Sequence, residues 1–351
     1  MADDIARFIA TIQAAIRSRP DYPDQLIGLA ETVQQRGHPS RAVRLAREAM
    51  ALAEGGPGVR ARGRRLLSSL APGYHVPMMN DARRNAAWDK AIRAAVKPGM
   101  TVLEIGTGAG MLALMAARAG ASVVTCEQNS VVAAAARALA ERNGLGERIE
   151  VIAKRSAEVT LERPADLLIC DIFGDRLLDF DPIAAIDDVR RRGLLAKGAA
   201  IIPRSACLRA AFADWSDYRR SGQVAEAAGF DLGPFADFVP TVLTVPIGSP
   251  DLKLMSKDWQ TYNFYFGWAT LHGHKTRPCE ILHDGEVNAI AHWIQLVLDD
   301  DTILEARPEP GARFFSSPTL FPLDAPVAVR AGDTLTMGAS YQGRSILTWL
   351  A

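Results

Sequence analysis

Val102-Leu-Glu-Ile-Gly-Thr-Gly-Ala-Gly110 is an apolar strand running directly into a glycine-rich turn, and a second strand-like stretch, Ser122–Cys126, ends at Glu127. Gly106 and Gly108 let the backbone bend sharply and approach a ligand that any side chain would hold off. Gly110 lets the next helix pack close to the sheet. Glu127 stands about twenty residues further on, where an acid at the tip of the second strand accepts both hydroxyls of a ribose. The pairing predicts a nucleoside-bearing ligand.

The glycine spacing narrows the nucleoside. A pyrophosphate-binding dinucleotide fold uses G-x-G-x-x-G, whereas this chain has G-x-G-x-G preceded by Glu104. That version resembles the class I S-adenosylmethionine (SAM) methyltransferases. The resemblance implies a cofactor site containing Glu104, Gly106, Thr107, Gly108, Gly110, Glu127 and Gln128.

Composition sets the frame. The chain has 351 residues and 48% hydrophobic content, enough for two packed domains with a small appendage. Lys+Arg and Asp+Glu are both 40, so no global basic field gathers nucleic acid, which is not expected as a partner. Cys126, Cys170, Cys207 and Cys279 lack C-x-x-C spacing and read as small core residues in a reducing compartment. No apolar run reaches the roughly twenty residues that span a bilayer, and Met-Ala-Asp-Asp is too acidic an opening for a signal peptide. A cytoplasmic protein with no membrane association is expected. No metal is expected either, because His272-Gly-His274 has no cysteine or acid cluster beside it.

Three segments follow along the chain. Residues 1–70 are rich in Ala, Leu and Arg at helical spacing, with breaks at Pro20, Gly37-His38-Pro39 and Gly55-Gly56-Pro57-Gly58. They read as short antiparallel helices: either one degenerate tetratricopeptide (TPR) repeat or a plain helical cap. Residues 71–203 alternate strand and helix: Thr101–Ile105, a helix from Met111, Ser122–Cys126, Val131–Asn143, Ile149–Ile152, Asp166–Asp171, a helix from Ile183, and Ala199–Ile202. That alternation specifies an α/β, Rossmann-like parallel sheet, with ligands gathered beyond the carboxyl ends of its strands. Residues 204–351 turn to strand-like segments rich in Thr, Val and aromatics, among them Phe238–Pro246, Trp259–Trp268, Asn288–Leu298, Pro326–Val329 and Thr334–Ala339. They predict an antiparallel β-barrel or sandwich.

Four stretches in order resemble the protein arginine methyltransferase family: His75-Val-Pro-Met-Met-Asn-Asp-Ala-Arg-Arg-Asn85, Val102–Gly110, Ile202-Pro-Arg-Ser-Ala206 and Ala291-His-Trp293. The similarity runs from about Gly73 to the C-terminus and is closest to members with N-terminal TPR repeats. It implies a helix closing over SAM, with Arg84 gripping the methionine carboxylate through two parallel hydrogen bonds. It also implies that His75 and Met78 line the pocket, with adenine-edge contacts from Ser156 or the backbone around Ala157. The charged segment at about 214–229 falls where the family carries a dimerisation arm, which implies a homodimer.

At the acceptor end the pattern departs from the family. Two family glutamates hold the substrate guanidinium in line with the methyl group. The first falls on Asp171, shorter by one methylene; the second falls on Phe180, flanked by Asp179 and Asp181. Those two acids read either as part of an acidic clamp or as caps of the helix beginning near Pro182. His292 and Trp293 match the family's threonine-histidine-tryptophan loop, with Ala291 replacing the threonine. The resemblance makes His292 the buttress of an acid and Trp293, with Phe180, a wall of the substrate slot. Without it, a His-Trp pair in a strand is ordinary core packing.

The leading expectation is therefore a SAM-dependent N-methyltransferase of a protein or peptide arginine, with Asp171 orienting the nucleophile. A methyltransferase of another peptide or natural-product nucleophile, and a catalytically silent SAM-binding interaction module, are the alternatives.

Overall fold

A computed structural model describes residues 2–52, 56–216, 218, 226–246, 248–266, 273–309 and 316–351. Its N-terminal segment holds four helices, α1 (Ala2–Ile16), α2 (Tyr22–Gln35), α3 (Pro39–Leu52) and α4 (Pro57–Ser69). Proline opens α3 and α4, where its missing N–H costs nothing. Leu26, Ile27, Ala30 and Val33 of α2 bury against Ala42, Leu45, Ala46 and Ala49 of α3, with Val59 and Leu66 of α4 completing a separate small core. Close approach of α4 depends on Gly63, where an added Cβ would meet Met50 Sδ at 2.4 Å.

Two more helices, α5 (His75–Asn80) and α6 (Ala82–Ala95), lead into the sheet. Asp81 caps α6 by accepting from the Arg84 N–H at 2.9 Å, which fixes the turn between the two helices. Five parallel strands follow: β1 (Thr101–Ile105), β2 (Ser122–Cys126), β3 (Ile149–Ile152), β4 (Ala165–Cys170) and β5 (Leu195–Ile202), in the spatial order β3-β2-β1-β4-β5. Helices α7 (Met111–Arg118), α8 (Ser130–Arg142) and α9 (Pro182–Arg191) provide the crossovers. All five residues of β1 are buried, as both covered faces of a parallel sheet require. Strand order reverses between β1 and β4, so the crevice forms above Ile105 and Cys170.

The chain leaves β5 through a cis Ile202–Pro203 peptide and enters the antiparallel half at β6 (Ser205–Trp215). β6 pairs with the thirteen-residue strand Gly285–Val297, which pairs in turn with Thr319–Val329. A second sheet joins Gly273–Glu280, Thr334–Gln342 and Ser345–Leu350. One continuous apolar core runs from Trp88 and the parallel sheet to Tyr341 and Ile346 of the antiparallel half, so the cofactor side and the barrel side are packed together.

Two expectations at the element level change. Phe238–Pro246 is not one strand: Gly233–Phe238 is a 3-10 turn and only Leu243–Thr244 pairs, because Pro240 and Pro246 remove ladder donors. Of the expected arm at about 214–229, residues 217 and 219–225 lie outside the described residues. Asp214 and Trp215 end β6, and Glu226–Ala227 pairs with Phe230–Asp231. His272 also lies outside the described residues.

Candidate active site

The glycine turn has the backbone its spacing predicts. Gly106, Gly108 and Gly110 have φ of +85°, +49° and +82°, a region that favours glycine. A Cβ on Gly106 would meet Ile172 Cγ2 at 2.4 Å, and one on Gly108 would meet the His75 ring at 3.3 Å. His75 thus closes over the turn, half-buried, and burial holds its imidazole below the ordinary pKa against the pull of Glu127. Met78, on the same short helix, is half-buried.

Glu127 ties the crevice together. Its carboxylate accepts from the Gly108 N–H at 3.1 Å and from the Asn129 N–H at 2.8 Å. A carboxylate has about four lone-pair sites, so two remain for ribose hydroxyls. Gln128 is exposed at the rim beside it. Beyond β3, Ser156 uses its carbonyl to accept from Arg192 at 3.1 Å, Ala157 is exposed, and Glu158 folds back to accept from the Arg155 N–H at 3.3 Å.

Beneath the turn lies a buried charged cluster. Glu104 is 1% exposed and accepts from Thr125 Oγ1 at 2.5 Å; Thr125 in turn meets Thr107 Oγ1 at 2.6 Å. Burial pushes the Glu104 carboxyl up to about 8, opposed by the Thr125 hydroxyl and reinforced by nearby Asp171. Arg84, 4% exposed, pairs through Nη2 with Asp171 and donates from Nη1 to Asn85 Oδ1 at 3.1 Å. Two atoms of the cluster, Arg84 Nε and Glu104 Oε1, are buried without a hydrogen-bond partner. One is a cationic donor and the other a carboxyl acceptor, the complement of an α-amino acid's carboxylate and ammonium. Glycine cradle, ribose acid and this pair of atoms together fit S-adenosylmethionine. Among the described residues, no three His, Cys, Asp or Glu are grouped to hold a metal ion.

Of the acceptor-side residues, Asp171 stands at the end of β4, against Arg84. Asp179 has partners of its own: it packs on Gly174 and takes Arg176 at 2.8 Å. Asp181 does cap α9, accepting from the Ala184 N–H at 3.4 Å, and pairs with Arg344 of the barrel at 2.6 Å. Phe180, between them, is 54% exposed. The three acids lie within eleven residues of one another in sequence, but each holds a different arginine.

His292 and Trp293 sit mid-strand in Gly285–Val297 rather than in a loop. His292 is 1% exposed, its Nε2 is 2.7 Å from Thr348 Oγ1 and its ring lies 4.3 Å from that of Phe321. Burial pushes its imidazole down to about 3, so it is neutral at ordinary pH, and its partner is a hydroxyl rather than an acid. Trp293 donates from Nε1 to Glu305 at 2.8 Å. Asp175 adds another contact between barrel and acceptor loop beside the Asp181–Arg344 pair, accepting from Ser316 Oγ and the Ser317 N–H, each at 2.9 Å.

Asp175, Asn129 and Thr125 were not singled out from sequence. Asn129 ahead of Ser130-Val-Val has the signature of a helix cap, and Thr125 is a polar residue that follows Val123-Val124 inside a strand; Asp175 carries no local signal, because its partners come from 141 and 142 residues away.

The family described as ribosomal protein L11 methyltransferase (PrmA) matches residues 89–202. Arginine N(omega)-methyltransferase of Streptomyces achromogenes subsp. streptozoticus is 31% identical over 278 residues, covering 76% of this chain and 75% of that protein. Protein arginine N-methyltransferase 7 of Oryza sativa subsp. indica is 31% identical over 258 residues, 66% of this chain, and the chain spans only 36% of its length. Two solved structures share the fold at 20% identity. The Trypanosoma brucei PRMT1 enzyme–prozyme heterotetrameric complex with AdoHcy has a TM-score of 0.68, over 76% of this chain and 87% of that one. Arabidopsis thaliana protein arginine methyltransferase 10 has a TM-score of 0.64, over 78% and 89%.

Proposed function

The chain belongs to the arginine N-methyltransferase family, and from that premise we propose that it methylates the guanidinium of an arginine in a protein or peptide, with Asp171 as the acid that orients the acceptor. The donor supplies an electrophilic methyl carbon on a sulfonium. Gly106, Gly108 and Glu127 seat its adenosine, while Arg84 Nε and Glu104 Oε1 take its amino-acid end. Asp171 accepts an N–H from the incoming guanidinium and opposes its charge while one η nitrogen attacks. A C–N bond forms as the C–S bond breaks, and the nitrogen sheds one proton. Because the reaction is a single displacement, alignment and charge stabilisation carry most of the rate.

The observation that carries this reading is the buried Arg84–Asp171 pair, which links a donor-tail residue to an acceptor-side acid. Asp179, Asp181 and Phe180 shape the acceptor mouth, and His292 and Trp293 act as positioning residues inside the barrel. The test is S-adenosylhomocysteine formation with an arginine peptide; no turnover with any arginine acceptor would remove the reading.

A second reading takes free arginine as acceptor. Arg176 and Arg344, each ion-paired with an acid of the loop, keep further N–H donors that suit an α-carboxylate, and the Streptomyces relative is named for arginine itself. Comparing free arginine with an arginine peptide at equal concentration separates the two.

We also propose a homodimer located in the cytoplasm. Support comes from the position of the segment at about 214–229 and from the four buried free cysteines; among the described residues no helix is long and apolar enough to cross a membrane. A monomer mass at micromolar concentration would count against the dimer.

A further inference from the structure

Helices α1–α4 have no part in the chemistry above, yet they reach the cofactor crevice. An open recess of about 600 Å3 lies between them and the tips of β2 and β3, with Pro39 and Leu70 on one side and Gln128, Asn129, Lys154 and Glu158 on the other. α3 lies against α8, and Ser40 Oγ meets Ser130 Oγ at 3.0 Å.

Asn129 performs three tasks there. Its Oδ1 caps α8 by accepting from the Val131 N–H at 3.0 Å, its own N–H holds Glu127 Oε1 at 2.8 Å, and its Nδ2 donates to the Leu70 carbonyl at 2.9 Å. Leu70 is the C-cap of α4, where carbonyls need outside donors. The ribose acid is thereby connected through a single residue to the last turn of the N-terminal helices.

Resting on the SAM reading above, we propose that the N-terminal helical segment is part of the nucleoside site: Pro39 and Leu70 form the outer wall against an adenine, and the Asn129–Leu70 hydrogen bond holds the Glu127 loop in its binding position. An adenine fits the recess because the wall offers a proline ring and a leucine to its face, while Gln128, Lys154 and the nearby backbone offer polar groups to its edge. The segment then sets how tightly donor and spent product are held, with no effect on the arginine end.

Two variants of the full chain test this. Asn129→Ser keeps a residue that caps helices but does not reach Leu70, and Leu70→Ala leaves every hydrogen bond in place while removing the wall. Titration calorimetry with S-adenosylhomocysteine and with adenosine alone gives the affinities. The expected result is a loss of about fivefold to tenfold for both ligands in each variant, the scale of one hydrogen bond or a few methylenes. The KM for the arginine acceptor stays at the wild-type value. Binding within twofold of wild type would overturn the inference, as would a loss for S-adenosylhomocysteine that adenosine does not share. Failure of the wild-type protein to bind either ligand would overturn the SAM reading itself, a result distinct from both.

Discussion

Arg84 and Asp171, 87 residues apart in sequence, form an ion pair buried beneath the glycine turn, with Glu104 close enough to feel both. The pair joins α6 to the end of β4. In the proposed reaction it lies between the donor tail and the acceptor.

Substitutions at the pair should therefore act on both halves of the reaction. Arg84→Ala leaves Asp171 as an uncompensated buried charge and is expected to cost about 3–5 kcal/mol of stability as well as donor affinity. Arg84→Lys keeps the charge but lacks the planar fork, so S-adenosylhomocysteine binding weakens with a smaller loss of stability. Calorimetric titration and thermal melting of the two variants read the split directly; unchanged donor affinity in both would remove Arg84 from the cofactor site.

Asp171→Asn should lower kcat by about 10²–10³-fold, the scale seen when one transition-state electrostatic partner is lost. Asp179→Asn and Asp181→Asn should each change kcat by less than about tenfold, because those acids are held by Arg176 and Arg344 and exposed pairs contribute little. Steady-state kinetics with one arginine acceptor checks the ranking, and an equal loss at all three positions would argue for a shared clamp.

Glu104 should register donor binding as a proton. Its carboxyl is pushed up to about 8, so at pH 7 the free protein holds the proton; a cation brought to Oε1 favours the ionised form. Calorimetry at pH 7 in buffers of different ionisation heat should show release of up to about one proton on donor binding. Glu104→Gln should abolish that release. The same raised value means that Glu104 contributes stability below pH 4.5 that is lost as pH rises through about 8.

The opposite sign applies to His292. Its folded value lies near 3, below the ordinary 6.5, so the unfolded chain takes up the proton first. Stability is full above pH 6.5 and falls toward pH 3 with a slope approaching 1.4 kcal/mol per unit, or about one proton. A His292→Gln variant, neutral at every pH, should start less stable and lose less on acidification. Denaturant midpoints from pH 7 to 4 test it.

What the sequence made legible was local. The glycine turn carries its own backbone demand, and all three glycines adopt positive φ. Asp181 before Pro182 offered a helix cap as one of its two readings, and the cap forms. His292 and Trp293 were harder to place, because Val287–Leu296 is buried on both faces, apart from a half-buried Gln295, and so shows no alternation that would separate core from site. The partners of Asp175, Asp179 and Asp181 set where each acid sits, and two of these three contacts arrive from the distant barrel. No spacing rule within one segment reveals them.

The central claim is that a methyl group passes from SAM to an arginine nitrogen beside Asp171. Incubating the purified chain with isotopically labelled SAM, an arginine peptide and free arginine, and locating the label by mass spectrometry, tests it most directly. The label should appear on a guanidinium nitrogen of an arginine acceptor with wild-type protein and fall to background with Asp171→Ala. Label on any other atom, or undiminished transfer by the variant, would contradict the account.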